Sequence, residues 1–177
     1  MPHFRPPPAV IRNTRSLPRA LFSAAFLVCF SAPLAAADGF DYTSNLREVF
    51  GAYQGVLARR EACATAYPKL RAVSDKAYAG WQGRHRKLID ELDLRVAMMI
   101  RGASTDERDY ARNVGKYEGA ILRQREEVKK ELLQQLPSDL EAMCKALPEF
   151  LRSADSDLEK AYAEELAIVR KRPLPGR

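Results

Sequence analysis

Downstream of Asp38 the apolar residues recur at intervals of three and four rather than two, and the stretches between turn signals are rich in Ala, Leu, Glu, Lys, Arg and Gln. A three-to-four spacing places apolar side chains on one face of a helix, so the chain reads as all-α. Leu46, Val49, Phe50, Tyr53, Val56 and Leu57 form the first stripe and predict a helix over 45–64, with Ser44 as its N-cap. Pro68 suits the first turn of a second helix, whose stripe runs through Leu70, Val73, Ala77, Trp81, Leu88, Leu92, Val96 and Met99 to a stop at Gly102. Ser104 and Glu107 have the spacing of a capping box for a third helix, carried by Tyr110, Val114, Tyr117, Ile121, Val128 and Leu132 as far as Leu136. A second box, Ser138 and Glu141, opens a fourth helix ending near Leu147 before Pro148. A final stripe over Leu151, Leu158, Tyr162, Leu166 and Val169 runs into Arg170–Lys171–Arg172 and a tail, 173–177, expected to be disordered.

The N-terminal part has a different character. Residues 21–37 are apolar and small, preceded by Arg5, Arg12, Arg15 and Arg19 with no acid, and Ala35 and Ala37 satisfy a small-residue cleavage rule. The apolar run is short for a membrane span. Residues 1–37 therefore read as a signal peptide, leaving 38–172 as a single helical domain outside the cytoplasm, periplasmic or secreted. Retention as an uncleaved anchor stays open, because Ser31 and Pro33 interrupt the run without ending it. Lipidation at Cys29 is disfavoured by Phe26, Leu27 and Val28, where small residues would be required. The formal charge of +6 includes the four leader arginines; without them 25 basic face 23 acidic side chains. A nucleic-acid partner loses its support, since nonspecific binding needs a concentrated cationic face.

Loss of Cys29 with the leader leaves Cys63 and Cys144, an even pair with one possible connectivity in an oxidising compartment. The second and third helices would each be about 50 Å long, and the tight link at 102–104 makes them an antiparallel hairpin. Pro68 then lies near Leu136, and both thiols arrive at the open end of the hairpin, where a disulfide would tie the first helix to the fourth. The expected fold is an all-α, coiled-coil-like bundle around a long hairpin with shorter flanking helices. Because those flanking helices look too short to cover it, a distal two-helix arm offering Met98, Met99 and Ile100 as a partner-binding patch is one reading; packing of Met99 and Ile100 against Tyr110 within the hairpin is the favoured one. Trp81 and Tyr117 are expected in the structural core, Trp81 plugging the junction of the first helix with the hairpin.

A catalyst needs a nucleophile, a base and an orienting group. The mature chain has a single histidine, His85, set among Arg84, Arg86 and Lys87, and it reads as a solvated residue. The cysteines lack a Cys-x-x-Cys partner, and no His-Glu-x-x-His, glycine-rich phosphate loop or Gly-x-Ser-x-Gly occurs. Glu126/Glu127 and Glu164/Glu165 point about 100° apart on a helix and do not converge. No catalytic residue, metal ligand or cofactor is assigned. Arg170–Lys171–Arg172 suits a helix C-terminus, with a membrane-surface or peptidoglycan contact as a secondary reading.

Cys63-x-x-x-Tyr67-Pro68, followed by Ala77-x-x-x-Trp81-x-x-Arg84 and a second cysteine some eighty positions on, resembles small exported all-helical proteins of Gram-negative bacteria that mostly carry no assigned activity. The Ala77/Trp81/Arg84 portion is also similar to helical lysozyme-inhibitor-like periplasmic domains, which carry further cysteines after the tryptophan that this chain lacks. The resemblance implies a fold and a compartment. The expected function is that of a non-catalytic periplasmic binding protein whose partner is another envelope protein; a lysozyme-type inhibitor and a holdase-like chaperone are the alternatives. No integral membrane span is expected after cleavage.

Overall fold

The computed structural model describes residues 35–174, with side chains from 41 onward. The leader as far as Leu34, with its arginines and Cys29, and residues 175–177 lie outside the described residues. Among the described residues there is no strand, and no helix is long and apolar enough to cross a membrane.

The first helix, α1 (Ala35–Ala66), starts ten residues before its expected onset. Ala35, Ala36 and Ala37 are strong helix formers, so Ser44 lies within the helix rather than capping it. After Pro68 opens a 3-10 turn, Pro68–Leu70, the chain enters α2 (Arg71–Gly102), which ends at Gly102 as expected. The cap of α3 (Glu107–Leu133) is Asp106, whose carboxylate accepts from Asp109 N at 2.8 Å. Ser104, the expected cap, donates instead to Ile100 O at 2.7 Å, and Glu107 pairs with Arg101 at 2.6 Å. In α4 (Pro137–Phe150), Pro137 takes the first position and the Ser138 box does not form. Pro148 does not interrupt this helix. It sits in the last turn, where it forfeits a single bond, and the turn continues to Phe150. The expected single final helix is instead a 3-10 turn, Ala154–Ser156, followed by α5 (Leu158–Ala161) capped by Asp157, and α6 (Ala163–Arg170).

Side-chain pairs set the register. Arg60 meets Asp75 at 2.7 Å and Tyr53 stacks on Trp81, so α1 and α2 run antiparallel. Tyr67 donates to Pro137 O at 3.1 Å, Cys63 bonds Cys144, and Arg59 lies over the Phe150 ring, so α4 returns antiparallel along α1. The stapled end is thus the expected one, with Cα atoms of the two cysteines 5.3 Å apart and both residues buried. From there the C-terminal segment climbs beside α2, matching Ser156 to Trp81, Leu158 to His85 and Arg170 to Glu91.

The projecting arm is absent. With 32 residues each, α1 and α2 are equally long, about 48 Å, and α1 covers the hairpin to its far end. Ile100 is buried and Met99 packs half-buried against the core; of the expected patch only Met98 lines an open surface dish, with Ala97, Arg101, Gly102 and Tyr110. Met98→Glu is therefore expected to change stability by no more than about 0.5 kcal/mol, whereas Ile100→Val costs about 0.5–1.5 kcal/mol, as read by denaturant unfolding. The core is centred on Trp81, Leu46, Leu88, Leu92, Leu151 and Leu166. Tyr117 is half-buried rather than interior, because α3 buries none of its residues fully. The tail expectation also shifts, since Leu174 is buried.

Candidate functional site: a cationic cleft beside His85

On α2, Trp81, His85, Leu88 and Leu92 follow the helical repeat and share the buried face, which places His85 under Trp81 rather than in solvent. The two rings lie 4.6 Å apart between centroids. His85 Nδ1 donates to Trp81 O at 2.9 Å, while Nε2 accepts from Leu158 N at 3.4 Å and lies 3.7 Å from Asp157 Oδ1. A carbonyl on one ring nitrogen and an N–H on the other assign the proton to Nδ1. Trp81 Nε1 donates to Ser156 O at 2.9 Å. Both rings therefore latch the 153–158 segment onto α2, so Trp81 seals the bundle against the C-terminal turn as well as against Tyr53 of α1.

Immediately outside this latch lies a cleft of about 340 Å³, formed by Arg84, Lys87 and Leu88 with His85 on α2, and by Arg152, Asp157 and Glu159 opposite. Its acids are already engaged. Partial burial would raise the Asp157 carboxyl, but the Lys160 N–H and charge and the Glu159 N–H outweigh it and hold it below the usual aspartate range. Glu159 accepts from Arg170 at 3.1 Å. The cations are differently placed. Arg84 donates to Leu151 O and Arg152 Nε donates to Pro148 O at 2.9 Å, both carbonyls of the α4 C-terminal end. Arg84 shares the Leu151 carbonyl with Ser156 Oγ, Arg152 occupies that of Pro148, and each guanidinium keeps its full charge and most of its five donors. Chemically, the cleft offers positive charge and hydrogen-bond donors on a frame locked by Trp81, His85 and α4.

A second polar cluster sits farther along α2. Arg95 is buried; its Nη1 donates to Val169 O at 3.0 Å and Arg172 O at 2.9 Å, and its Nε and Nη2 reach Glu91 Oε1 at 2.9 and 2.8 Å. Arg170 closes on the other Glu91 oxygen at 2.9 Å. Arg170–Lys171–Arg172 is thus not an unbalanced basic patch: Arg170 is paired with two carboxylates, and Arg172 lies 4.3 Å over the Tyr42 ring. Burial would raise the Glu91 carboxyl, but hydrogen bonds and charge from Arg170 and Arg95 prevail and lower it. Because its folded value lies below the ordinary 4.5, the associated stability is complete above pH 4.5 and is lost as pH falls through the folded value. Thermal unfolding of Glu91→Gln is accordingly expected to depend less on pH below about 4.5 than that of the wild type, with a neutral-pH cost of about 1–3 kcal/mol.

Cys63, Cys144 and Trp81 lie where their spacing in the sequence predicts, whereas Arg152, Asp157 and the Glu91–Arg95–Arg170 cluster carry no sequence signal of their place in a site. The His85 position did carry a signal, four residues after Trp81 and three before Leu88, but its cationic neighbours outweighed it. Among the described residues no group of three His, Cys, Asp or Glu side chains could hold a metal ion. The fold and its bridge define the class as an all-α, disulfide-tied bundle protein. No family model matches the chain, and no curated protein or solved structure is significantly similar to it.

Proposed function

We propose that this protein is an exported, non-catalytic binding protein of the cell envelope, directed by residues 1–37 and acting in the periplasm on another envelope component. The observation that carries the reading is the buried Cys63–Cys144 bridge, which ties the first helix to the fourth across 81 positions and belongs to an oxidising compartment. The state of His85 favours binding over turnover: both ring nitrogens are occupied by backbone groups, so the mature chain's sole imidazole serves the frame rather than proton transfer.

Cell fractionation followed by non-reducing peptide mass spectrometry tests this. The expected result is a chain in the periplasmic or secreted fraction, beginning at Asp38, with Cys63 and Cys144 joined. A cytoplasmic chain starting at Met1 with both thiols free would sink the proposal.

A further inference from the structure

We propose that the cleft between α2 and the 152–159 segment is a binding site for a small phosphate monoester, held by Arg84, Lys87 and Arg152. This goes beyond the envelope-partner reading and does not depend on it. Charge compensation singles out this cleft. Of the charged groups lining the cleft, the acids are satisfied from outside or by backbone: Asp157 by two N–H groups and Lys160, Glu159 by Arg170. The neighbouring Arg86 faces Asp90 at 3.9 Å and takes no part. Arg84 and Arg152 touch only neutral carbonyls, and Lys87 stands three residues from Arg84 on the same helix face.

Three cations whose charge no carboxylate cancels therefore converge on one concavity, two of them with guanidiniums already fixed at one edge. Fixing a guanidinium beforehand removes much of the ordering cost of binding and suits the forked recognition of phosphate oxygens. A monoester is close to dianionic at neutral pH and matches three positive charges better than a single carboxylate does. The volume, about 340 Å³, is at the small end of ligand pockets and fits a compact metabolite rather than a polymer. The arrangement differs from ordinary helix capping in one checkable respect. Capping the α4 carbonyls needs Arg84 and Arg152 but has no use for Lys87.

Calorimetric titration of the folded, disulfide-bonded protein with glycerol phosphate, against chloride at equal ionic strength, tests the site. Saturable binding is expected, with the amide resonances of Ser153, Ala154 and Leu158 shifting along the same isotherm. Lys87→Gln should weaken it about tenfold while leaving the melting temperature in place, the loss of one charge-assisted contact. Arg152→Gln should weaken it too, and comparing its circular dichroism with the wild type separates lost binding from lost fold. Absence of saturable binding in the wild type, an unchanged affinity in Lys87→Gln, or equal binding of glycerol phosphate and acetate would overturn the proposal. So would sedimentation with phosphatidylglycerol vesicles in the absence of any response to the soluble monoester.

Discussion

Cys144→Ser is expected to lose about 4–5 kcal/mol of unfolding free energy relative to the oxidised wild type, the loop-closure entropy of a span this long. The bridge joins Cys63 and Cys144 across 81 positions, so opening it releases most of the domain in the unfolded state. Set against a typical net stability of about 5–15 kcal/mol, that loss is between about a third and nearly all of what holds such a domain folded. The folded state suffers as well: both sulfurs are buried, and the serine hydroxyl would face an apolar interior beside Leu140 and Leu147. Denaturant unfolding of wild type, Cys144→Ser and Cys63→Ala/Cys144→Ala checks this. The double alanine should recover part of the serine deficit but stay well below the oxidised protein. Equal stability of reduced and oxidised wild type would mean that helix packing alone holds α4 on α1.

The second large effect is expected at Arg95. Arg95→Ala should cost about 3–5 kcal/mol, since removing one member of a buried ion cluster strands the other. Here three groups lose a partner together. Glu91 keeps only Arg170, whose side chain is 42% exposed, and the carbonyls of Val169 and Arg172 lose their donor at the end of α6. The C-terminal segment from 163 to 174 should loosen first, so native-state hydrogen exchange ought to show protection lost in α6 while α2 stays protected. Glu91→Leu/Arg95→Met is expected to be more stable than Arg95→Ala alone, because apolar replacement of both partners leaves no buried charge uncompensated. A double variant no better than the single would assign the cost to lost packing of the Arg95 stem.

The disulfide and the Arg95 cluster are unequally marked in the chain. The cysteine spacing, the Pro68 start and the Gly102 stop together place the stapled end of the bundle, because helix length and a short turn are local properties that leave one geometry for the hairpin. Glu91 and Arg95, spaced four apart, look like any solvated helical ion pair; their burial comes from the C-terminal segment 163–174, in which Arg170 lies 79 positions from Glu91. Arg84 and Arg152 each sit in unremarkable surface context. They share a cleft only because α4 runs back along α1 and delivers its last carbonyls to α2. The missing arm has a similar origin: α1 is already helical through Phe40 to Ser44, ahead of the apolar stripe that predicted its onset.

Periodicity, composition and turn chemistry by themselves determined an all-helical chain, the hairpin and the meeting of two sulfurs, since each follows from rise per residue and backbone hydrogen bonding within a few turns. Only the tertiary structure decided that His85 is interior, that Ile100 is covered, that a buried ion cluster anchors the C-terminal helix and that three cations border one cleft. Those outcomes depend on which distant segment excludes water from a given helix face, and a one-dimensional pattern of side chains does not carry that information.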